Sequence, residues 1–310
     1  MPVDLTMGRR EWALLGALSL IWGSSFLMNA VALAELPPFT VVLGRIVPAA
    51  LALVLWLRAR GQRLPNSGRI LAVMFLLGLI NNLVPFSLIV WGQTRIPSGL
   101  AAILNASMPL WSVVLAHFAT TDERLTPARG AGVVLGFLGV AVLIGPSLLA
   151  GGGDLLGRLA VLGAAFCYAS SAIVARRLLR GVPAPVAATG QALAATCLIL
   201  PVVLVVDRPW TLAWPSLPVW GAVLWLSLLS TALAYLIFYR LLATAGATNT
   251  SLVTFLVPVT AVLLGVLVLG EPLALRQLGG MALIGLGLAV LDGRPLRHMR
   301  RRLAPAVPGG

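Results

Sequence analysis

Glu271-Pro-Leu-Ala-Leu-Arg-Gln-Leu-Gly-Gly-Met-Ala-Leu-Ile-Gly-Leu-Gly-Leu-Ala-Val-Leu291 repeats, without a gap, the earlier stretch Glu123-Arg-Leu-Thr-Pro-Ala-Arg-Gly-Ala-Gly-Val-Val-Leu-Gly-Phe-Leu-Gly-Val-Ala-Val-Leu143. Glu271 answers Glu123, Leu273 answers Leu125, Gly280 answers Gly132 and Gly287 answers Gly139. Ala289-Val290-Leu291 repeats Ala141-Val142-Leu143. Upstream, Pro258 answers Pro109 after a one-residue slip, and Ser170-Ser171 answers Ser24-Ser25. An internal repeat of this length divides the chain into two similar halves.

Outward from these copies the chain is almost wholly apolar. Ten stretches, 12–34, 39–57, 69–93, 98–119, 127–147, 157–178, 186–206, 218–242, 247–268 and 275–291, are each read as a membrane span. A hydrocarbon core about 30 Å thick needs roughly 20 helical residues. Hydrophobic residues make up 59% of the 310 positions and charged residues 10%, which excludes an ordinary soluble domain. The expected fold is an all-α membrane protein of ten transmembrane helices. They form two five-helix repeats, 1–147 and 148–293, followed by a basic cytoplasmic tail, 294–310, expected to be disordered. Five is odd, so the second repeat enters the membrane inverted. Inverted repeats meeting at a midplane site are a recurring architecture of secondary transporters, because mirrored halves supply matching inward-open and outward-open states. A duplication kept for stability alone is the duller reading.

The net charge of +13 comes from 22 basic residues, all arginine, against nine acidic ones. With the N-terminus inside, Arg95, Arg158, Arg208 and Arg276 fall on the outer side, Arg45 falls within the second span, and the other 17 fall on cytoplasmic segments. That asymmetry follows the positive-inside rule, so both termini are expected in the cytoplasm, with the arginines at lipid headgroups and not on nucleic acid. Arg9-Arg10, an apolar run and Ala32-Leu33-Ala34 imitate a signal peptide. The run is nearer 20 residues than a signal core allows, and an uncleaved first helix is expected. Cys167 and Cys197 both lie in spans and are read as small packing residues without metal-ligand spacing.

The residues resemble a known family, the drug/metabolite transporter superfamily in its EamA branch. Leu20-Ile-Trp-Gly-Ser-Ser-Phe26 is similar to that family's opening helix. Leu43-Gly-Arg-Ile46 is similar to its second, where an arginine is common. Ser98-Gly-Leu-Ala-Ala-Ile-Leu-Asn-Ala-Ser-Met-Pro109 followed by Asp122-Glu-Arg-Leu-Thr-Pro127 resembles its fourth-to-fifth-span signature. Ser251 to Pro258 with Leu269-Gly-Glu-Pro-Leu273 repeats the match in the second half. Thr121-Asp122 departs from the usual Leu-Gly before Glu123. The resemblance covers roughly residues 10–292 and implies ten helices, a central cavity and export of small metabolites or drugs.

Polar groups in hydrocarbon are costly and ordinarily face the bundle interior or a water-filled path. The candidates for solute contact are Trp22, Ser25 and Asn29 in span one, Arg45 in span two, and Asn81, Asn82 and Trp91 in span three. Asn105 in span four, Tyr168 and Ser171 in span six, Thr231 and Tyr235 in span eight, and Thr254 in span nine complete the set. Thr231, Tyr235 and Tyr239 form an i, i+4 stripe. Aromatic walls with a few polar groups suit a largely apolar ligand, whereas hydrogen bonding between helices is the structural alternative for any single residue. Arg45 lies about 10 Å along its helix from the outer end. It could snorkel outward or pair structurally, or it could bind a substrate carboxylate. Pro109 and Pro258, matched by the repeat, are expected hinges. The glycines at 132, 136, 139, 279, 280, 285 and 287 suit close packing of spans five and ten on each other or on a second subunit, a homodimer. Glu123 and Glu271 sit at helix boundaries, where capping or loop pairing is the expected role.

No acidic residue lies deep in a span, so an intramembrane carboxylate proton relay is not expected. There is no Walker loop, no His-Glu-x-x-His and no nucleophile–base pair. No catalytic residue, metal ligand or cofactor is assigned. The expected function is a secondary transporter, an exporter of an amino acid, related metabolite or drug. It would act by alternating access in a bacterial cytoplasmic membrane, with a small-molecule solute and the bilayer as partners. The rival is a membrane-embedded enzyme or a lipid-binding scaffold of similar architecture.

Overall fold

The computed structural model describes residues 7–119, 126–150 and 153–292. The turn at Thr121-Asp122-Glu123 and the basic tail lie outside them. The described residues form helices and short connections, with no strand. Helices α1 (Arg9–Leu33), α2 (Pro38–Ala59), α3 (Gly68–Gln93) and α4 (Ser98–Ala119) are followed by α5 (Pro127–Ala150) and α6 (Gly153–Leu178). Then come α7 (Ala184–Val206), α8 (Leu217–Gly246), α9 (Val253–Leu269) and α10 (Leu275–Asp292). Seven of them, α1 to α4 and α6 to α8, are long and apolar enough to cross a membrane. Arg129–Ile144 within α5, Val253–Leu269 and Leu275–Leu291 are shorter apolar helices. Proline opens several of them, at Pro38, Pro127 and Pro218, where the missing N–H has no intrahelical partner to lose. Gly270 ends α9 at φ +65°, a conformation that a Cβ would strain.

The helix pairings repeat when the two halves are exchanged. The α1–α9 packing returns as α4–α6, α1–α8 as α3–α6, and α2–α8 as α3–α7; α2–α7, α4–α9 and α5–α10 each map onto themselves. This is a two-repeat bundle around a pseudo-two-fold axis. The tightest seam is α5 on α10. A Cβ on Gly132 would lie 2.8 Å from the Gly287 carbonyl, one on Gly139 2.8 Å from the Gly280 carbonyl, and one on Gly287 2.6 Å from the Gly136 nitrogen. The repeat-matched glycines 132, 139, 280 and 287 are therefore spent on each other within one chain. Leu51, Leu55, Leu138, Leu263 and Leu267 are exposed, as a lipid-facing surface requires.

Three helices depart from straight α geometry, and one expected span is interrupted. In α3, Gly78–Leu83 is a π-helical turn, and in α8 the π segment is Trp225–Leu233, so the third helix of each half is widened in its middle. Pro85 accounts for the first: its ring would strike the carbonyl of residue 81, and a wider turn relieves the clash. In α4, Ser98–Asn105 and Met108–Ala119 are separated by a turn at Ala106-Ser107. Pro109 thus begins a new helical segment, where proline is well tolerated, and Pro258 lies inside continuous α9. The stretch expected as one span, 247–268, is interrupted by a turn at Ser251-Leu252. Before it, Asn249 Nδ2 donates to the Ala245 carbonyl at 3.0 Å and Thr250 Oγ1 to the Gly246 carbonyl at 2.8 Å. Short polar side chains here compete for backbone groups, and Gly246 at φ +79° starts the bend.

Three carboxylates close one end of the bundle by capping helices of the opposite half. Glu35 accepts from the Ser216 N–H at 2.7 Å and from its hydroxyl at 2.6 Å, at the start of α8. Asp207 accepts from the Thr40 N–H at 2.6 Å and its hydroxyl at 2.9 Å, at the start of α2. Glu271 accepts from the N–H groups of Ser98 and Gly99 at the start of α4. Helix N-termini carry partial positive charge and unbonded N–H groups, so an acidic cap serves each twice over. Arg158, read from sequence as a boundary arginine, is instead buried in α6 and donates to the Leu143 carbonyl of α5.

Candidate central binding site

The widened turns of α3 and α8 bring the polar candidates to the middle of the bundle. Thr231 Oγ1 donates to the Leu226 carbonyl five residues back at 2.9 Å, at the π spacing, and accepts from Arg45 Nε at 3.0 Å. The Arg45 guanidinium lies over the Phe86 ring, 4.0 Å from its centre, and is 7% exposed. It therefore does not snorkel to the membrane edge. Tyr168 and Tyr235 lie within electrostatic range of it. Tyr235 donates its hydroxyl proton to Asn82 Oδ1 at 3.0 Å. Asn82 is 1% exposed, and its Nδ2 has no partner among the described residues. Arg45, Phe86, Asn82, Tyr168, Thr231 and Tyr235 thus form one cluster contributed by α2, α3, α6 and α8.

Neighbouring candidates line or brace it. Trp22 packs on Phe238 with ring centres 5.6 Å apart, and Tyr239 lies 5.6 Å from Phe238 and 6.3 Å from Tyr235. Trp22, Tyr168, Tyr235, Phe238 and Tyr239 all keep partial exposure. Asn81 is a brace: its Nδ2 donates to Gln191 Oε1 at 3.0 Å, and Ser171 Oγ approaches its Oδ1 at 2.8 Å, tying α3 to α6 and α7. Asn29 Nδ2 donates to Gln93 Oε1 at 2.9 Å, and Gln93 Nε2 to the Phe26 carbonyl at 2.8 Å, which ties α1 to α3. Ser25 bonds back to the Trp22 carbonyl of its own helix at 2.6 Å.

Other expected contacts are elsewhere. Trp91 lies under the Arg95 guanidinium, 4.4 Å away, about 15 Å along α3 from Asn81. Asn105 ends the first segment of α4 with its Oδ1 sealed and unbonded among the described residues. Thr254 is partly buried in the first turn of α9. Sequence reasoning missed Phe86, whose aromatic face in the helix facing Arg45 was the available signal. It also missed Ser24 and Ser230. Trp225 Nε1 donates to Ser24 Oγ at 2.9 Å, and Ser230 Oγ donates to the Ile21 carbonyl at 3.1 Å, which fasten α8 to α1. Among the described residues no group of histidine, cysteine or acidic side chains is placed to hold a metal ion.

The EamA-like transporter family model matches residues 11–145 and again 155–291, once for each half. The chain belongs to the EamA-like transporter family. Full-length relatives agree. The uncharacterised transporter YoaV of Bacillus subtilis is 24% identical over 88% of this chain and 93% of its own. The protein PecM of Dickeya dadantii is 27% identical over 92% and 93%, and the uncharacterised inner membrane transporter YedA of Escherichia coli is 25% identical over 94% of each. A protein of known crystal structure superposes with a TM-score of 0.66, covering 91% of this chain and 97% of that one at 22% identity, which shows a shared fold. This EamA-family chain is accordingly a multi-pass membrane transporter of the drug/metabolite superfamily, similar to bacterial relatives named as transporters.

Proposed function

We propose that this EamA-family protein is a secondary transporter that exports a small organic solute across a bacterial cytoplasmic membrane by alternating access. In this reading the helices α1 to α10 are ten spans, residues 1–147 and 148–293 are two inverted repeats, and both termini face the cytoplasm. The supporting observation is that the widened third helix of each half delivers its polar residues to one central cluster walled by partly exposed aromatic rings. A site shared by both halves is what rocking of one repeat on the other exposes to each side in turn. The carboxylate caps on α2, α4 and α8 would hold one mouth shut, and Pro109 and Pro258 would serve as bending points. Trp22, Asn82, Tyr168, Thr231 and Tyr235 would touch the solute.

The test is in two parts. Cells expressing the chain are screened for resistance to toxic amino-acid analogues, organic acids and cationic drugs, and the purified protein is reconstituted for counterflow of any solute found. Resistance with matching counterflow is the expected result. Accessibility labelling of cysteines placed near each terminus should report the same side for both. Opposite sides would end the inverted-repeat reading.

A further inference from the structure

We propose that the central cluster is an anion subsite in which Arg45 and Asn82 hold a carboxylate of the transported solute. The cargo is then a small organic acid or an amino acid, not a cationic drug; this rests on reading the cluster as the transport site.

The argument starts from a charge without a counter-charge. Arg45 is buried among α2, α3 and α8, and a cation in that position is ordinarily matched by a carboxylate or by several carbonyls. It has one hydroxyl at Nε and one aromatic face. Its two terminal nitrogens make no hydrogen bond among the described residues, and no acidic side chain there lies within ion-pair distance. Among the described residues, Glu35, Asp207 and Glu271 are committed to helix caps. With Nε bound to Thr231 and the ring plane set by Phe86, the remaining fork of the guanidinium is oriented, and its geometry matches a carboxylate bidentately.

Asn82 supplies an independent second donor. Tyr235 occupies its Oδ1, which leaves Nδ2 buried and without a partner among the described residues. A buried donor left unpaired is costly, and the loss is recovered when an acceptor arrives. Two uncompensated donors, one of them charged, call for an acceptor-rich anion. The partly exposed Tyr168, and the run of rings from Tyr235 through Tyr239 and Phe238 to Trp22, suit an apolar body attached to that anion. A cation placed there would meet Arg45 with nothing between.

The experiment is counterflow in proteoliposomes holding the full-length chain. Benzoate, 3-phenylpropionate and phenylalanine are run against benzamide and benzylamine, 3-phenylpropanamide and 3-phenylpropylamine, and phenylalaninamide and phenethylamine, respectively. Movement of at least one acid, with its matched amide and amine slower by about tenfold or more, is expected. Arg45→Gln should then raise the KM for that acid about tenfold or more, and Arg45→Lys should recover part of the loss. Equal or faster movement of an amide or amine, stillness of every acid, or an unchanged KM in Arg45→Gln would overturn the anion assignment. Equal or faster transport of the neutral or cationic members would overturn it while leaving the transporter reading intact. Should Arg45→Gln not survive purification, the wild-type panel and Arg45→Lys still decide.

Discussion

Glu271, from the connection before α10, accepts hydrogen bonds from the backbone of Ser98 at 2.7 Å and Gly99 at 3.0 Å, so the second half of the chain caps a helix of the first. Gly265 belongs to the same arrangement, because a Cβ there would lie 2.6 Å from Glu271 Oε2. Replacing a cap side chain by alanine ordinarily costs about 0.5–2 kcal/mol. Glu271→Ala is expected to lower the thermal midpoint of the detergent-purified protein by several degrees. Gly265→Ala should do the same by evicting the carboxylate, and the double variant should lose little more than either alone. Additive losses would mean that the two residues act separately.

The α5–α10 seam gives a sharper expectation. Gly139 and Gly287 sit with the backbone of the facing helix inside the space a methyl group would need. Overpacking of this kind commonly costs about 1–3 kcal/mol, and here the obstacle is backbone, which cannot rotate away. Gly287→Val should reduce thermal stability far more than Gly285→Val, since a Cβ at Gly285 meets nothing within 4 Å. Melting curves of the two purified variants decide it.

The all-helical membrane architecture was legible because a bilayer demands long apolar helices, of which seven among the described residues are long enough to cross, and because glycines that must touch recur at the same places in both halves. The polar residues of the candidate cluster could be picked out one by one from the sequence, but not their connections. Asn81 and Asn82 are adjacent in sequence and look like one polar patch, yet Asn81 braces Gln191 and Ser171 whereas Asn82 meets Tyr235. Thr231, Tyr235 and Tyr239 read as one face under a 3.6-residue period. The π segment over Trp225–Leu233 changes that phase, so Thr231 turns to Arg45 and Tyr235 to Asn82. The widened turn in α8 has no proline of the kind that marks the one in α3 at Pro85. Trp91 lies apart from the central cluster for the opposite reason: its helix is regular there, and the regular rise carries it away to stand beside Arg95.

The Glu35 cap carries a pH dependence. The Ser216 hydroxyl and then its N–H hold the Glu35 carboxyl below its ordinary value of 4.5. A depressed value in the folded state means that the cap stabilises the protein above pH 4.5, and that this contribution is lost as the pH falls through the lowered value. Glu35 is fully solvent-facing, so the effect is small and salt-sensitive. Thermal midpoints measured between neutral pH and pH 3 should fall less steeply for Glu35→Gln than for the unaltered chain. Parallel curves would show that the cap does not titrate in this range.

Tyr235 and Tyr239 separate a hydrogen bond from an aromatic wall. Both rings pack in the same group, but the Tyr235 hydroxyl donates to Asn82 and the Tyr239 hydroxyl has no hydrogen bond among the described residues. Tyr235→Phe keeps the ring, releases the Asn82 amide and lets it rotate. A hydrogen bond of this kind is worth about 0.5–1.5 kcal/mol, so the KM for the transported solute should rise about two- to twelvefold. The maximal rate and thermal midpoint should stay near those of the unaltered chain. Tyr239→Phe, measured in the same counterflow assay, should leave both kinetic constants within about twofold. Tyr235→Ala, which removes wall and bond together, should cut transport further without altering the amount of folded protein. A Tyr235→Phe chain with an unchanged KM would take Asn82 out of the solute's path and leave Tyr235 as wall alone.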